Sequence, residues 1–181
     1  MESGDGPAPL QRYELGTKTL VLLGVGWTLA AVWTGVLAYL DENVHELQAR
    51  GALAVGAGSL LVWLISIPTA DVSIVDLWWG VAYVAQAWVF ALSVPGGFSS
   101  PRPLVTLALV TVWGMRLALH LIVRKAQEGW REDPRYPERV LLLVRGEAPA
   151  LAFHLVSLLQ VFVMQGTFMW LVGQSLVVLF V

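Results

Sequence analysis

The chain has no cysteine in its 181 residues. That excludes a disulfide framework, a thiolate metal site and a cysteine nucleophile. Charge is almost as scarce: Asp, Glu, Lys and Arg make up 13% of the sequence, against about 25% in an average soluble domain. There is no G-x-x-x-x-G-K-[ST] phosphate loop, no G-x-S-x-G elbow and no H-E-x-x-H zinc motif, so the reaction classes those motifs carry have no support. No nucleic-acid module is recognisable and no metal site is expected, and a net charge of −2 favours neither kind of partner. Hydrophobic residues take up the space instead, at 57% of the chain with a mean hydropathy of +0.69. Such a chain belongs in a bilayer.

Residues 1–16 mix Gly, Pro and charges without apolar periodicity and read as a flexible tail. Residues 17–181 read as one transmembrane helical domain. Spans are expected at Thr19–Leu40, Gly51–Ile67, Leu77–Val94 and Leu104–Val123. Pro68 closes the second, and the PGGFSSPRP segment separates the third from the fourth. From Ala148 to Val181 no charged side chain occurs. As one helix this run would be ~51 Å long, against a hydrocarbon core of ~30 Å. A break is therefore expected at Gly173-Gln174-Ser175, leaving LVVLFV too short to cross, as if the chain ended early. The fold expected is an all-α polytopic bundle of about five spans, within a range of four to six.

Arg124, Lys125, Arg131, Arg135, Arg139 and Arg145 place the 124–147 loop on the cytoplasmic side of what is expected to be a bacterial cytoplasmic membrane, with the N-terminus inside as well. The TADVSIVD segment then lies at that same face.

The densest chemistry is WGMRLALHLIVRKAQEGWREDPRY, Trp113 to Tyr136. At ~100° per residue Trp113, Arg116, His120 and Arg124 share one stripe. Ionisable groups at membrane depth normally face a bundle interior or a wet cavity, so a polar pocket is expected there. Guanidinium groups suit a polyanion such as a pyrophosphate; positive-inside anchoring with snorkelling is the plainer reading. The EDPRY motif, with Glu132, Asp133, Arg135 and Tyr136, is either a solvated loop or a site whose tyrosine donates a proton. Ser73-x-x-Asp76 reads as a capping box, or else Asp76 holds a cation such as Arg116 or polarises a substrate. Gly80 would permit close helix approach, and Ala31, Gly35, Ala54 and Gly58 have the spacing of helix-packing residues. His154 and Gln165, eleven residues apart and so within ~20° on an α-helix, form a polar seam with Ser157 that serves either helix association or a substrate cavity.

In this order DVSIVDLWWG, WGMRLALHLIVR, EDPRY and VFVMQG resemble the steroid 5-alpha-reductase-like family of bacterial membrane proteins, over roughly residues 71–166. The resemblance implies a helical membrane enzyme that uses NADPH to reduce an activated carbon–carbon double bond in a steroid or other lipid. It further implies that Arg116, His120 and Arg124 face cofactor phosphate or ribose and that Asp76, Tyr136 and Gln165 lie near the reacting end, with Tyr136 and Asp76 as the catalytic pair; Arg135 is a further candidate cofactor contact, and Trp79 and His154 join Gln165 as candidate substrate-pocket residues. Members carry a further C-terminal half with an Arg-His-Pro segment, which this sequence does not contain. A non-catalytic membrane protein, or one subunit completed by a second polypeptide, is therefore an alternative. A membrane methyltransferase of the isoprenylcysteine carboxyl type is another.

Overall fold

A computed structural model describes residues 42–136 and 150–181. The expected tail, the span Thr19–Leu40 and the basic segment with Arg139 and Arg145 lie outside the described residues. The described residues form helices α1 (Glu42–Thr69), α2 (Val75–Ser93) and α3 (Pro101–Gln127), followed by a continuous helix of α4 (Ala150–Ser157), a π-helical turn (Leu158–Val163) and α5 (Met164–Phe180). Four of these helical stretches are long and apolar enough to cross a membrane. The described residues are all-helical, and their four spans fall within the expected range of four to six.

Helix α1 begins nine residues before the expected start at Gly51, because the 3–4 repeat of buried positions runs back through Gln48, Leu47 and Val44. The charged stretch that reads as a loop is its first two turns, where Arg50 pairs with Glu46 at 2.5 Å. The turn from α2 to α3 is built by Gly96, at φ +79°, and by Gly97, which packs so tightly on the Ala91 carbonyl that no side chain fits. Pro101 then opens α3 at a first-turn position where its missing N–H costs nothing.

The most extensive helix contact joins α2 to α3, and it centres on paired glycines. A methyl group on Gly80 would stand 2.9 Å from the Ala118 amide nitrogen and collide with the Gly114 carbonyl; one on Gly114 would stand 2.6 Å from the Gly80 carbonyl. The close approach expected of Gly80 is thus present. Helix α3 turns Leu107, Gly114, Ala118 and Lys125 inward, a spacing that alternates seven and four residues. Val55, Val75, Ala82, Phe162 and Met169 form the core between α1, α2 and α5, with Trp79 and Tyr136 packed against it.

No break occurs at Gly173-Gln174-Ser175; α5 continues to Phe180. Gln174 donates to the Trp170 carbonyl at 2.9 Å and Ser175 to the Val172 carbonyl at 2.9 Å, so both polar side chains bond back to their own helix without interrupting it. Gly173 is there for packing, since a side chain would occupy the place of the buried Gln86 amide. The irregularity falls earlier, in the π-helical turn, and the whole span Ala152–Phe180 is long enough to tilt or protrude.

Candidate functional site

Two chain segments meet at one end of the bundle: residues 70–76, between α1 and the first turn of α2, and residues 128–136, after α3. The first bends at Ala70, in the left-handed region at φ +49°, and enters a single 3-10 turn at Val72–Ile74. Asp71 caps that turn by accepting from the Ser73 amide at 2.9 Å and the Ser73 hydroxyl at 2.6 Å. The capping box expected of Ser73-x-x-Asp76 does not form: Asp71 caps the 3-10 turn, α2 follows with no side-chain cap, and the carboxylate of Asp76 is left for other partners. The second segment leaves α3 through Gly129 and Trp130, both left-handed, with the Trp130 amide donating to the Lys125 carbonyl at 2.9 Å.

Asp76, Trp79, Tyr136 and Gln165, four of the residues singled out from the sequence, are joined in one hydrogen-bond chain. The Tyr136 hydroxyl donates to Asp76 Oδ1 at 2.5 Å and accepts from Gln165 Nε2 at 3.2 Å. Gln165 Oε1 accepts from the Trp79 indole N–H at 2.7 Å. An indole can only donate, so it fixes which end of the Gln165 amide faces Tyr136. Burial, and secondarily the bond to Asp76, push the Tyr136 phenol above its ordinary pKa, so it keeps its proton across the physiological range.

Arg135 lies 4.0 Å from Asp76 and makes a two-pronged pair with Asp133, at 2.5 Å through Nη2 and 2.9 Å through Nε. The Arg135 hydrogen bond holds the Asp133 carboxyl down at about 2, and the same bond raises Arg135. Arg135, rather than the expected Arg116, is thus the cation beside Asp76. The α3 stripe also needs correcting: Trp113, Arg116, His120 and Arg124 are all exposed rather than turned into the bundle, although the Trp113 ring still meets Tyr83 of α2 at 5.7 Å. Periodicity groups these four on one face but does not say which way that face looks; the small residues Gly114 and Ala118 decide it, because close packing goes to them. Arg124 pairs with Glu128 at 2.9 Å. Arg116 and His120 enter no ion pair or hydrogen bond among the described residues.

His154 stands apart from this chain. Its carbonyl accepts from Trp63 Nε1 at 3.0 Å and from Ser157 Oγ at 2.8 Å, and its ring meets the edge of Phe153. The expected seam with Gln165 assumes a uniform α repeat, and the π-helical turn between them shifts that register.

Lys125 reads from the sequence as an interfacial anchor beside Arg124, but the structure buries it. Lys125 and Asp71 are the buried charged side chains among the described residues, 2.7 Å apart. Lys125 also donates to Ser73 Oγ at 2.7 Å and to the Arg131 carbonyl at 3.2 Å. Nearby, Glu132 accepts from the Val72 amide at 2.8 Å, and burial raises its carboxyl above the ordinary value. The available signal was position: Lys125 lies seven residues beyond Ala118 and eleven beyond Gly114, on the packing face.

Fold and site together define a polytopic helical membrane protein with a tyrosine–carboxylate–glutamine cluster at one end of its bundle. Residues 62–181 match the family model described as Protein of unknown function (DUF1295). The match covers more than half of the chain, which belongs to this family. No curated protein and no solved structure matches it.

Proposed function

We propose that this protein is a membrane oxidoreductase of the steroid 5-alpha-reductase-like kind, reducing a carbon–carbon double bond conjugated to a carbonyl in a steroid or other lipid. The observation that supports this most is the Tyr136 hydroxyl, held between Asp76 and Gln165 at the edge of the apolar core. As electrons enter the β-carbon of an enone, charge develops on the carbonyl oxygen, and a fixed neutral donor there lowers the barrier. Tyr136 is that donor, and Gln165 Nε2 has a second N–H to offer the same oxygen. Asp76 orients the phenol, Trp79 fixes the Gln165 amide, and the apolar surroundings suit a lipid-soluble substrate. In the free protein the phenol O–H is directed at Asp76, and an entering carbonyl competes for it.

NADPH would supply the hydride. Its phosphates suit Arg116 and His120, whose ring and guanidinium donors have no acidic partner among the described residues, while Arg124 and Arg135 would have to share themselves with Glu128 and Asp133. The charged end of the bundle is read as cytoplasmic, where that cofactor is found. The test is direct: incubate the detergent-purified chain with NADPH and a lipid enone, following nicotinamide oxidation and the gain of two hydrogens by mass. Reduction that Tyr136→Phe lowers at least a hundredfold supports the reading. The absence of saturable NADPH binding and of any reduced product overturns it.

A further inference from the structure

Tyr136 sits at the end of a segment whose preceding residues, from Glu128 to Arg131, are exposed, so apolar burial does not hold that segment down. Polar ties do: Glu132 accepts from the Val72 amide, the Asp133 amide donates to Ser73, and the Arg131 carbonyl accepts from Lys125, whose ammonium group also holds Ser73 in place. Lys125 Nζ contacts Asp71 Oδ2, Ser73 Oγ and the Arg131 carbonyl, which uses all three of its N–H donors at 2.7, 2.7 and 3.2 Å. Ser73 Oγ also accepts from the Asp133 amide at 3.2 Å, clipping the segment to the entrance of α2. That clip and the Tyr136–Asp76 bond are offset by three residues on both strands of the chain, Ser73 to Asp76 and Asp133 to Tyr136. The Tyr136 amide donates to the Asp133 carbonyl at 3.0 Å, closing the turn that carries the register from one to the other.

We infer that Lys125 is a positioning residue for Tyr136: by joining Asp71, Ser73 and the Arg131 backbone it sets the height of the 131–136 segment, and so keeps the tyrosine hydroxyl on Asp76. It has no contact with Tyr136 itself and acts through Ser73 and Asp133. The importance of this role rests on the donor function proposed for Tyr136, but the geometry it concerns does not, so the two can be tested apart.

The experiment uses the full chain in detergent, with its four tyrosines replaced by fluorotyrosine and the Tyr136 fluorine resonance assigned with Tyr136→Phe. Tyr83, whose ring packs between Trp79 and Trp113, is the internal control. In Lys125→Met the Tyr136 signal is expected to move towards that of a solvent-exposed fluorotyrosine and to titrate at lower pH, with the Tyr83 signal unmoved. Lys125→Arg, which keeps charge and donors, should restore the signal in part. Ser73→Ala spares the Lys125–Asp71 pair but cuts the tie to the Asp133 amide, and should shift Tyr136 in the same direction; it decides the matter if Lys125→Met does not fold. A Tyr136 signal unchanged in Ser73→Ala, or moving only together with Tyr83, overturns the inference. If Tyr136 responds as expected while the wild-type chain reduces no enone, the positioning role stands and the proposed reaction falls.

Discussion

The two faces of α3 treat their cations in opposite ways. On the inner face Lys125 is buried at 7% exposure, yet each of its donors meets an oxygen. On the outer face Arg116 and His120 are exposed and bind nothing among the described residues. A buried charge is tolerated when it is fully paired, and its removal then leaves a partner stranded. A cation without protein partners contributes little to the fold and is free for a ligand. The inner cation therefore belongs to architecture, and the outer pair is available for the phosphate contacts proposed above.

The strongest way to break this contrast is Asp71→Ala, which strands Lys125. A loss of about 3–5 kcal/mol is expected, the usual cost of removing one member of a buried pair, read as a fall in thermal midpoint or urea resistance in detergent. A change below about 1 kcal/mol would mean that the inner cation is not structural. Next in size is Gly80→Ala. Its methyl group would press on backbone atoms of Gly114 and Ala118, which cannot rotate away. A loss of about 1–3 kcal/mol is expected from such overpacking, with α3 pushed outward and Lys125 drawn off Asp71.

Hydropathy made the described spans legible, because membrane length and polar interruptions leave few alternatives. Motif order on the chain also brought Asp76, Trp79, Tyr136 and Gln165 into one hypothesis, and the structure joins them. Angular arithmetic failed in two places for different reasons. For Arg116, His120 and Arg124 it groups side chains correctly but carries no information about the direction of the core, which Gly114 and Ala118 set through packing. For His154 and Gln165 it presumes an unbroken α repeat, and nothing in LLQVFV announces a π-helical turn. Lys125 is not legible as a buried residue, because a lysine next to an arginine at a helix end reads as an anchor, whereas its role depends on Asp71 and Ser73, far away in the chain.

A smaller effect separates charge from hydrogen bonding beside the inner cation. Burial raises the Glu132 carboxyl above 4.5, so its ionised form is disfavoured in the fold and stability falls as pH rises from 4.5 through the folded value. Glu132→Gln keeps an acceptor for the Val72 amide and removes the charge. Above that window it should stabilise by less than about 1 kcal/mol, solvent screening limiting the gain, and it should flatten the dependence of melting temperature on pH. Asp133 works in the opposite sense: its contribution is complete above 3.8 and is lost as pH falls through about 2. In Glu132→Gln the acid-side loss set by Asp133 should therefore stay at the wild-type pH, while the fall above 4.5 disappears. An unchanged pH profile would show that Glu132 acts only as an acceptor.

The smallest expected effect on stability is the most telling for function. Arg116→Ala and His120→Ala remove side chains that hold nothing among the described residues, so the thermal midpoint should correspond to within about ±0.5 kcal/mol of the wild type. If the outer face receives the phosphates of NADPH, the same substitutions remove charge-assisted hydrogen bonds worth about 1.5–3 kcal/mol each, and the dissociation constant should rise by about tenfold or more per residue. Added salt should weaken wild-type binding and affect the variants less, because fewer charge pairs remain to be screened. Destabilisation comparable to that of Asp71→Ala would instead make Arg116 and His120 part of the architecture, and the distinction between the two faces of α3 would disappear.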